Sequence, residues 1–464
     1  MTFKLGVRAQ VCAYCRFVVV RTDRGFEKHG RVADMLELPS PFVVGTGGFW
    51  NRKRFDVEGR AQYDRHNAPS APWQEFLLGF AEGEARAWVA SAQGRWYVTY
   101  ETPDLDVPPL AQLRPGASLA LGAHGSWSVQ EVGGRRLCSV EGSLTGIPAL
   151  NVVTGFADIS GPDGRFGTLD YGDGSERPVV FLGQQFDPAG VVLDSGVPLA
   201  QAAAQVKDVQ CPTCGGNLPL VSGQAERIVC RFCGTQSDVT QGYLTALGPT
   251  PRSTVQPDIA LGAEADLRSI RVVCCGFVAR SCLVDGERYP WKEYLLWGGA
   301  SVGYWWLVEE DGVWSLATPI EVGEIAEGGG ALRFRGEDYR HAQTVRARVD
   351  HVVGEFYWKV AIGESVEASE YRGSSGKVSR EASPSEVVYS FCGPVHPKEL
   401  VPFGVVAKGS PGLGNNNGAP GASGCSSLGV IIVLVMGVLA LLVMLDECGG
   451  SFGGGSFGGG FYSK

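Results

Sequence analysis

Apolar and polar residues alternate over short stretches in most of this chain. Clear cases are residues 271–273, 295–297, 304–308 and 313–316, which Gly and other turn-forming residues separate. Alternation with a period of two, bounded by such residues, is typical of β-strands. Asp311-Gly312 stands between two of these stretches, and an Asp-Gly pair in that position predicts a tight hairpin turn.

The first half of the chain shows the same hairpin pattern. Residues 87–90 and 95–99 alternate on either side of Gln93-Gly94. Residues 198–206 are a short helical candidate. The 66 Gly among 464 residues disfavour long helices. We therefore predict a mostly β protein, with barrel-like or sandwich-like domains.

The hydropathy changes abruptly near the C-terminus. Residues 428–445 carry no charge and are rich in Leu, Val, Ile and Met. As a helix this run is roughly 27 Å long at about 1.5 Å per residue, close to the hydrocarbon thickness of about 30 Å. We predict a single transmembrane helix rather than a buried core helix, because Gly-rich segments flank the run on both sides.

The flanking segments have the composition of linkers. Residues 406–427 are rich in Gly, Pro, Ser and Asn, and residues 446–464 repeat Ser-Phe-Gly-Gly-Gly. Such sequences predict a flexible linker and a tail that cannot form a packed core. Lys and Arg lie too far from the run to orient it. The cysteines discussed below favour an N-terminal bulk in the cytoplasm, with a single pass through the inner membrane and the tail outside.

Several motifs occur twice, at a spacing of about 218 residues. Trp73-x-Glu75-Phe-Leu-Leu returns as Trp291-x-Glu293-Tyr-Leu-Leu. Two more tryptophans, Trp88 and Trp96, return as Trp306 and Trp314. Because tryptophan is rare, three of them in register predict a duplicated domain.

The 13 cysteines include two Cys-x-x-Cys pairs that fit a zinc ribbon. The four residues are Cys211, Cys214, Cys230 and Cys233, and a Gly follows each pair. Two residues between cysteines let a tight turn present both thiolates to one ion, and Zn²⁺ prefers four ligands in a tetrahedron. A redox pair is the alternative, but it needs no second pair. We predict a structural zinc site, which a reducing compartment favours.

The first copy contains only half of this motif. Cys12 and Cys15 correspond to Cys230 and Cys233, and Arg16 stands where the second copy has Gly. Three explanations remain open: a true start upstream of Met1, loss of the first ribbon, or ligands borrowed from other cysteines. Candidates for borrowed ligands are Cys274, Cys275 and Cys282.

The recurring tryptophans allow two interpretations. They could form a platform that stacks a ligand, or they could be the core of a small β domain, which is the more common role. Glu75 and Glu293 lie two residues after a Trp, so each shares the Trp face of its strand. A hydrogen-bonded structural Glu is favoured over a site residue.

These motifs resemble the bacterial domain of unknown function numbered 4178. The residues that carry the resemblance are the Trp-x-Glu-aromatic-Leu-Leu runs, the later Trp and Gly-x-Trp, residues 168–171, and residues 354–359. The resemblance covers most of residues 45–185 and 255–400. It implies zinc ribbons, a C-terminal membrane anchor and a role as a membrane-associated accessory protein, with no established activity.

Charge and motifs exclude several functional classes. The net charge is -9 and the pI about 5.3, which argues against a general nucleic-acid binder. No P-loop is present in the sequence. The acidic pairs Asp170/Asp173 and Glu364/Glu367 are expected to be solvated rather than catalytic.

We predict a membrane-anchored cytoplasmic adaptor or scaffold that binds another protein, rather than an enzyme. The alternative is an enzyme or small-ligand-binding module with a site near each Trp-x-Glu motif. A deep polar pocket would favour the alternative, whereas filled hairpin cores would favour the adaptor. The predicted segments are a half-ribbon at 1–22, repeat domains at 23–200 and 250–405, a ribbon at 205–242, a linker at 406–427, the membrane helix at 428–445 and the tail at 446–464.

Overall fold

The computed structural model describes residues 9–11, 17–22, 25–31, 40–66, 68–80, 86–145, 150–172, 174, 177–203, 208–240, 243–251 and 255–405. In these residues β-strands dominate, and the α-helices are short: α1 (Leu199–Ala203) and α2 (Pro397–Leu400). Single 3₁₀ turns occur at Leu110–Gln112, Gly122–His124, Pro188–Gly190, Val322–Glu324 and Val401–Phe403. The helix predicted at 198–206 corresponds to α1 (Leu199–Ala203), and residues 204–206 lie outside the described residues.

The N-terminal half contributes fourteen strands to one sheet. They are β1 (Ala9–Val11), β2 (Phe17–Thr22), β3 (Gly25–Arg31), β4 (Gly47–Trp50), β5 (Lys53–Arg65), β6 (Ala68–Phe80), β7 (Arg86–Ala92), β8 (Arg95–Glu101), β9 (Ser118–Ala120), β10 (Ser126–Leu144), β11 (Val153–Ser160), β12 (Arg165–Gly172), β13 (Val179–Phe186) and β14 (Val191–Leu193). Eight of them form a closed barrel in the order β5-β6-β7-β8-β13-β12-β11-β10, because β10 pairs back onto β5.

The second half contains the ribbon strands and a second barrel. The strands are β15 (Asp208–Gln210), β16 (Asn217–Pro219), β17 (Arg227–Val229), β18 (Thr235–Thr240), β19 (Tyr243–Pro249), β20 (Glu264–Leu267), β21 (Ile270–Val284), β22 (Glu287–Trp297), β23 (Tyr304–Glu310), β24 (Val313–Ile320), β25 (Ala326–Gly328), β26 (Ala331–Phe334), β27 (Glu337–Phe356), β28 (Ser365–Arg372), β29 (Lys377–Ala382) and β30 (Val387–Pro394). Eight strands close in the order β21-β22-β23-β24-β30-β29-β28-β27, since β27 pairs with β21.

The two barrels share one strand order, and the strands that precede them dock in the same way. β17 pairs with the end of β27, and β18 and β19 follow it. In the first half β1 pairs with the end of β10, and β2 and β3 follow it. The prediction of two β-rich domains is therefore confirmed, and the choice between barrel and sandwich is decided in favour of the barrel.

The predicted hairpins are present at both positions. Gln93 and Gly94 have φ values of 52° and 80°, and Asp311 and Gly312 have values of 50° and 83°. Positive φ at both central residues gives the turn twist that matches paired strands. Two strands are much longer than the alternating stretches of the sequence: β10 spans 19 residues and β27 spans 20. Both long strands pair with barrel neighbours and then extend into pairing with the preceding strands.

Strand alternation separates an outer layer from the barrel interior. On β6, Phe76 and Leu78 pack outward in a cluster with Phe42, whereas Leu77 packs inward with Tyr63. The same alternation on β22 sends Tyr294 and Leu296 outward and places Trp291 and Leu295 in the interior cluster of the second barrel. Loops and 3₁₀ turns cover the outer layers, so apolar residues are buried on both faces of many strands.

The two barrels contact each other directly. The Val132 amide on β10 donates a 2.8 Å hydrogen bond to the Ser385 carbonyl, which lies in the turn between β29 and β30. The Gly323 amide donates to Ser160 Oγ at 2.8 Å. At Gly323 an added Cβ would lie 2.4 Å from Gly161 Cα, so the backbones are in close contact there. These contacts place the turn between β29 and β30 beside the interior of the first barrel.

The membrane segment and the N-terminal cysteines lie outside the described residues. Residues 428–445, Cys12 and Cys15 belong to these parts of the chain. Among the residues that are described, no helix has the length and apolar character needed to cross a membrane. The predicted anchor, linker and tail stay predictions.

Candidate functional site

Four cysteine side chains converge between the two barrels. The sulfurs of Cys211, Cys214, Cys230 and Cys233 all lie within 4.8 Å of one another. Cys211 Sγ is 3.6 Å from Cys233 Sγ, and Cys214 Sγ is 3.7 Å from Cys230 Sγ. The sequence prediction that these residues meet is thus confirmed, and they could bind one metal ion.

Two matching backbone turns present these sulfurs. The Gly215 amide donates to the Cys211 carbonyl at 2.9 Å, and the Gly234 amide donates to the Cys230 carbonyl at 2.8 Å. Both glycines have positive φ, 70° and 72°, which a residue with a Cβ adopts only with strain. The Gly after each Cys pair is therefore needed for the turn, as the sequence indicated.

The sulfur environments fit metal ligation. The Phe232 amide donates to Cys230 Sγ at 3.4 Å, and Cys233 Sγ shares a 3.2 Å hydrogen bond with the Thr235 hydroxyl. The hydrogen bond with Thr235 lowers the pKa of the Cys233 thiol to about 6. Thiolates are the metal-binding form, and four of them suit a tetrahedral ion with no open position.

Three cysteines of the second barrel do not join this cluster. Cys274, Cys275 and Cys282 are buried in the second barrel, and burial raises their thiol pKa values above the ordinary value. Among the described residues, the cluster at Cys211 is the only group of three or more metal-ligand side chains that converge this closely.

The Trp-x-Glu motif forms the same hydrogen bond in both barrels. Trp73 Nε1 donates to Glu75 Oε1 at 3.0 Å, and Trp291 Nε1 donates to Glu293 Oε1 at 2.7 Å. Because two residues along a strand share a face, both side chains of each pair lie inside the barrel. The expected hydrogen-bonded glutamate is found in each copy.

Each of these glutamates also contacts a buried arginine, but from a different strand. In the first barrel Arg135 on β10 bridges Glu75 at 3.1 Å and Asp170 at 2.9 Å. Its guanidinium carbon lies 4.4 Å from the centre of the Tyr63 ring, a cation–π contact. In the second barrel Arg280 on β21 lies 3.3 Å from Glu293.

The second barrel is filled. Trp306 and Trp358 are fully buried, with ring centres 5.6 Å apart, and Trp291 is almost fully buried. Arg280 and Glu293 are enclosed with them, and Glu381 Oε1 is 4.0 Å from the Arg280 guanidinium. Burial raises the pKa of Glu293 to about 7 and raises that of Glu381 well above its ordinary value. This interior is a packed core with an enclosed charge cluster.

The first barrel, in contrast, contains a cavity of about 520 Å³. Trp73, Glu75, Arg135 and Asp170 line it, and Trp73 and Trp88 are only partly buried. The ribbon and the second barrel close the open end, since Val209, Leu220, Gln224, Glu226, Glu321, Lys359 and Glu386 also line the cavity. Asp170, expected to be solvated, is instead ion-paired within this site.

Three carboxyl groups reach the cavity from different parts of the chain. Asp158 lies on β11, Glu226 lies just before β17 in the ribbon, and Glu386 lies just before β30. Burial, reinforced for Asp158 by the charge of Glu131, raises the pKa of Asp158 and of Glu226 to about 7. The pKa of Glu386 is raised well above its ordinary value by burial. Groups with such shifts often mark functional sites.

Sequence reasoning found the Trp-x-Glu half of this site and missed the rest. Arg135 and Asp158 lie in strands of alternating apolar and polar residues. A charged residue that faces the interior of a barrel strand is unusual, and that was the feature that could have identified them. Glu226 and Glu386 had no signal, because their position depends on how the ribbon and the second barrel pack against the first.

Comparison with known proteins identifies part of the chain. Residues 260–392 match the family model described as "Domain of unknown function (DUF4178)". This range covers the second barrel from just before β20 to within β30, so the second barrel is one DUF4178 domain. No curated protein and no solved structure matches the chain.

Proposed function

We propose that this protein is a small-ligand-binding module whose site is the cavity of the first barrel. The observation that carries this proposal is the contrast between the copies. The same Trp–Glu pair stands in a filled core in one barrel and beside a cavity of about 520 Å³ in the other. That volume is typical of sites that enclose a small molecule.

The chemistry of the cavity wall supports ligand binding over simple solvation. Aromatic rings form part of it: the Tyr63 and Trp73 rings stack with centres 5.5 Å apart, and those of Tyr97 and Phe166 lie 4.5 Å apart. A few fixed polar groups among aromatic surfaces are the usual composition of a binding pocket. The second barrel then serves as a rigid partner that closes the site.

The adaptor function stays a prediction beside this one. Filled interiors in both copies would favour a purely structural scaffold, and only the second barrel has one. A membrane anchor at residues 428–445 is compatible with either function. We retain the proposal that it holds the chain in the inner membrane with the barrels in the cytoplasm.

We further propose that Cys211, Cys214, Cys230 and Cys233 hold a structural Zn²⁺. A bound ion would fix the two Cys turns relative to each other, and residues of the same ribbon form part of the cavity wall. Purified full-length protein should contain one zinc per chain. Cys211→Ser should lose it, whereas Cys138→Ser, outside the ribbon, should retain it. Full zinc in Cys211→Ser would refute the site.

Ligand binding is tested by filling the cavity. Ala90 on β7 lines it, so Ala90→Trp should occlude the space, and Ala120→Trp is the matched control because Ala120 is exposed on β9. Both full-length variants and the unmodified protein are screened by ligand-observed NMR against a panel of neutral, cationic and anionic fragments. Thermal melting verifies that each variant is folded, and Ala90→Leu replaces Ala90→Trp if it is not.

The proposal expects fragments that bind the unmodified protein and Ala120→Trp but not the cavity-filled variant. A panel without such fragments, or binding that survives the filling of the cavity, would overturn it.

A further inference from the structure

The charges that surround the cavity of the first barrel are not balanced. Each basic side chain that lines it already has an acidic partner: Arg65 pairs with Glu131, Arg95 with Glu321, Arg135 with Glu75 and Asp170, and Lys359 with Asp238. Asp158, Glu226 and Glu386 remain as carboxyl groups with no ion-pair partner within salt-bridge distance among the described residues.

Glu386 is the most deeply buried of the three. Its side chain is 3% exposed and faces the cavity. Within the described part of the chain, its carboxylate accepts no hydrogen bond and forms no ion pair; the Ser383 contacts go to its backbone. Its carboxyl group is therefore available to a ligand in the cavity.

Hydrogen-bond acceptors are in excess at the same site. Gln130 lines the cavity, and its Oε1 is buried with no donor among the described residues. Asp158 accepts one hydrogen bond, from Thr168 Oγ1 at 2.7 Å, which leaves further lone pairs free. The missing groups are therefore donors, and a positively charged donor would satisfy both the charge and the hydrogen bonds.

The spacing of the acceptors favours an organic cation over a metal ion. Among the described residues, no three carboxylate, imidazole or thiolate groups other than the ribbon cysteines lie within 4.8 Å of one another. The carboxyls are thus too widely spaced to coordinate one ion. The Trp73 and Phe156 rings, with centres 6.5 Å apart, line the same space and can face the apolar part of a ligand or attract its charge.

We propose that the cavity binds a small organic cation, an amine whose ammonium group pairs with one of the carboxyls of Asp158, Glu226 and Glu386 and is attracted by the charge of the others, while its apolar part contacts the aromatic wall. This inference rests on the proposed ligand-binding function and names the class of ligand. The three acidic groups come from the first barrel, the ribbon and the second barrel, so all three units contribute to the negative charge around the ligand.

The test uses three molecules of similar shape that differ in charge. Phenethylamine, phenethyl alcohol and phenylacetate are titrated into the full-length protein at neutral pH by calorimetry. We expect phenethylamine to bind at least about tenfold more tightly than the alcohol, and phenylacetate to bind more weakly than both. Equal or reversed affinities would overturn the inference.

Variants assign the charge recognition to residues. Glu386→Gln and, independently, Asp158→Asn keep the shape of the side chain and should each weaken phenethylamine binding by about tenfold or more, with little change for the alcohol. Glu367→Gln is the matched control, because Glu367 is exposed on β28. If Glu386→Gln and Asp158→Asn both bind phenethylamine as the control does, these carboxyls do not hold the ligand.

The experiments distinguish a wrong class of ligand from a wrong proposed function. If the alcohol or phenylacetate binds best and Ala90→Trp abolishes that binding, the cavity is a ligand site and only the cationic class is wrong. If no fragment of any charge binds in a manner that depends on the cavity, the proposed function itself is wrong.

Discussion

Replacement of Asp158 with asparagine should stabilise the ligand-free protein near neutral pH. Asp158 lies on β11 and lines the cavity, where burial raises the pKa of its carboxyl to about 7. The nearby charge of Glu131 acts in the same direction, whereas the Thr168 hydroxyl and Arg135 oppose it. Asparagine has the same shape and can still accept the hydrogen bond from Thr168, but it carries no charge.

The sign follows from proton binding. The pKa of Asp158 is about 7 in the folded state and about 3.9 in the unfolded chain. Between these two pH values the folded state therefore keeps a proton on Asp158 that the unfolded state has released. Stability therefore falls as pH rises from about 4 to about 7 and stays reduced above that. At about 1.4 kcal/mol per pKa unit the loss is at most about 4 kcal/mol, and partial exposure of the side chain reduces it to about 2–4 kcal/mol.

Thermal unfolding, followed by tryptophan fluorescence, measures this difference. For a unit of 150–250 residues, about 1 kcal/mol corresponds to roughly 2–4 °C in melting temperature. Asp158→Asn should therefore raise the melting temperature of the first barrel by about 5 °C or more at pH near 8, with a much smaller change at pH near 4.5. Asp106→Asn is the control, because Asp106 is exposed in a loop of the same unit.

One result would contradict this reasoning. If Asp158→Asn lowers the melting temperature at the higher pH, or shifts it equally at both, then Asp158 is stably ionised in the folded protein. The cavity would in that case solvate charge as well as the protein surface does, and its carboxyl groups would not require a bound cation.

Three further predictions concern other parts of the molecule. Arg280→Met should destabilise the second barrel by about 3–5 kcal/mol near pH 8, and less near pH 5, because Glu293, whose pKa is raised to about 7, would be ionised at the higher pH without its buried cation; melting at the two pH values checks this. Gly183→Ala should cost about 1–3 kcal/mol or more, since its Cβ would lie 1.8 Å from the Val98 carbonyl oxygen. The matched Gly393→Ala, whose nearest neighbour is a phenylalanine ring at 3.1 Å, should cost less, and similar melting temperatures for both would contradict the close approach. Truncation after Ser410 should release folded protein from membranes, and a truncated form that still sediments with membranes after a high-salt wash would place the anchor elsewhere.

Local patterns predicted a substantial part of the fold. Alternation of apolar and polar residues identified the strands around Asp311-Gly312 and Gln93-Gly94, because the side-chain period of a strand is visible within a few residues. Spacing placed the four ribbon cysteines around one point, since Cys-x-x-Cys followed by Gly defines a turn by itself. The hydrogen bond of Trp73 with Glu75 followed from their two-residue separation.

Other features depended on contacts between residues far apart in the chain. Closure of each barrel requires one long strand to pair with a strand well before it, β10 with β5 and β27 with β21, and no short pattern encodes that pairing. No strand was predicted over β10 or β27 for the same reason. Their ends are set by the neighbours with which they pair rather than by a local turn signal.

The sequence by itself determined the β class, the two β-rich domains, the convergence of the four cysteines and the Trp–Glu pairs, because each of these depends on residues close together in the chain. Only the tertiary structure decided that one barrel is filled and the other holds a cavity. It also decided that Asp158, Glu226 and Glu386 line the same cavity, since each comes from a different unit. Their burial and raised pKa values arise from the packing of the ribbon and the second barrel over the open end of the first. Such packing depends on contacts between surfaces that are far apart in the chain, and the sequence of a single strand or motif does not reveal those contacts.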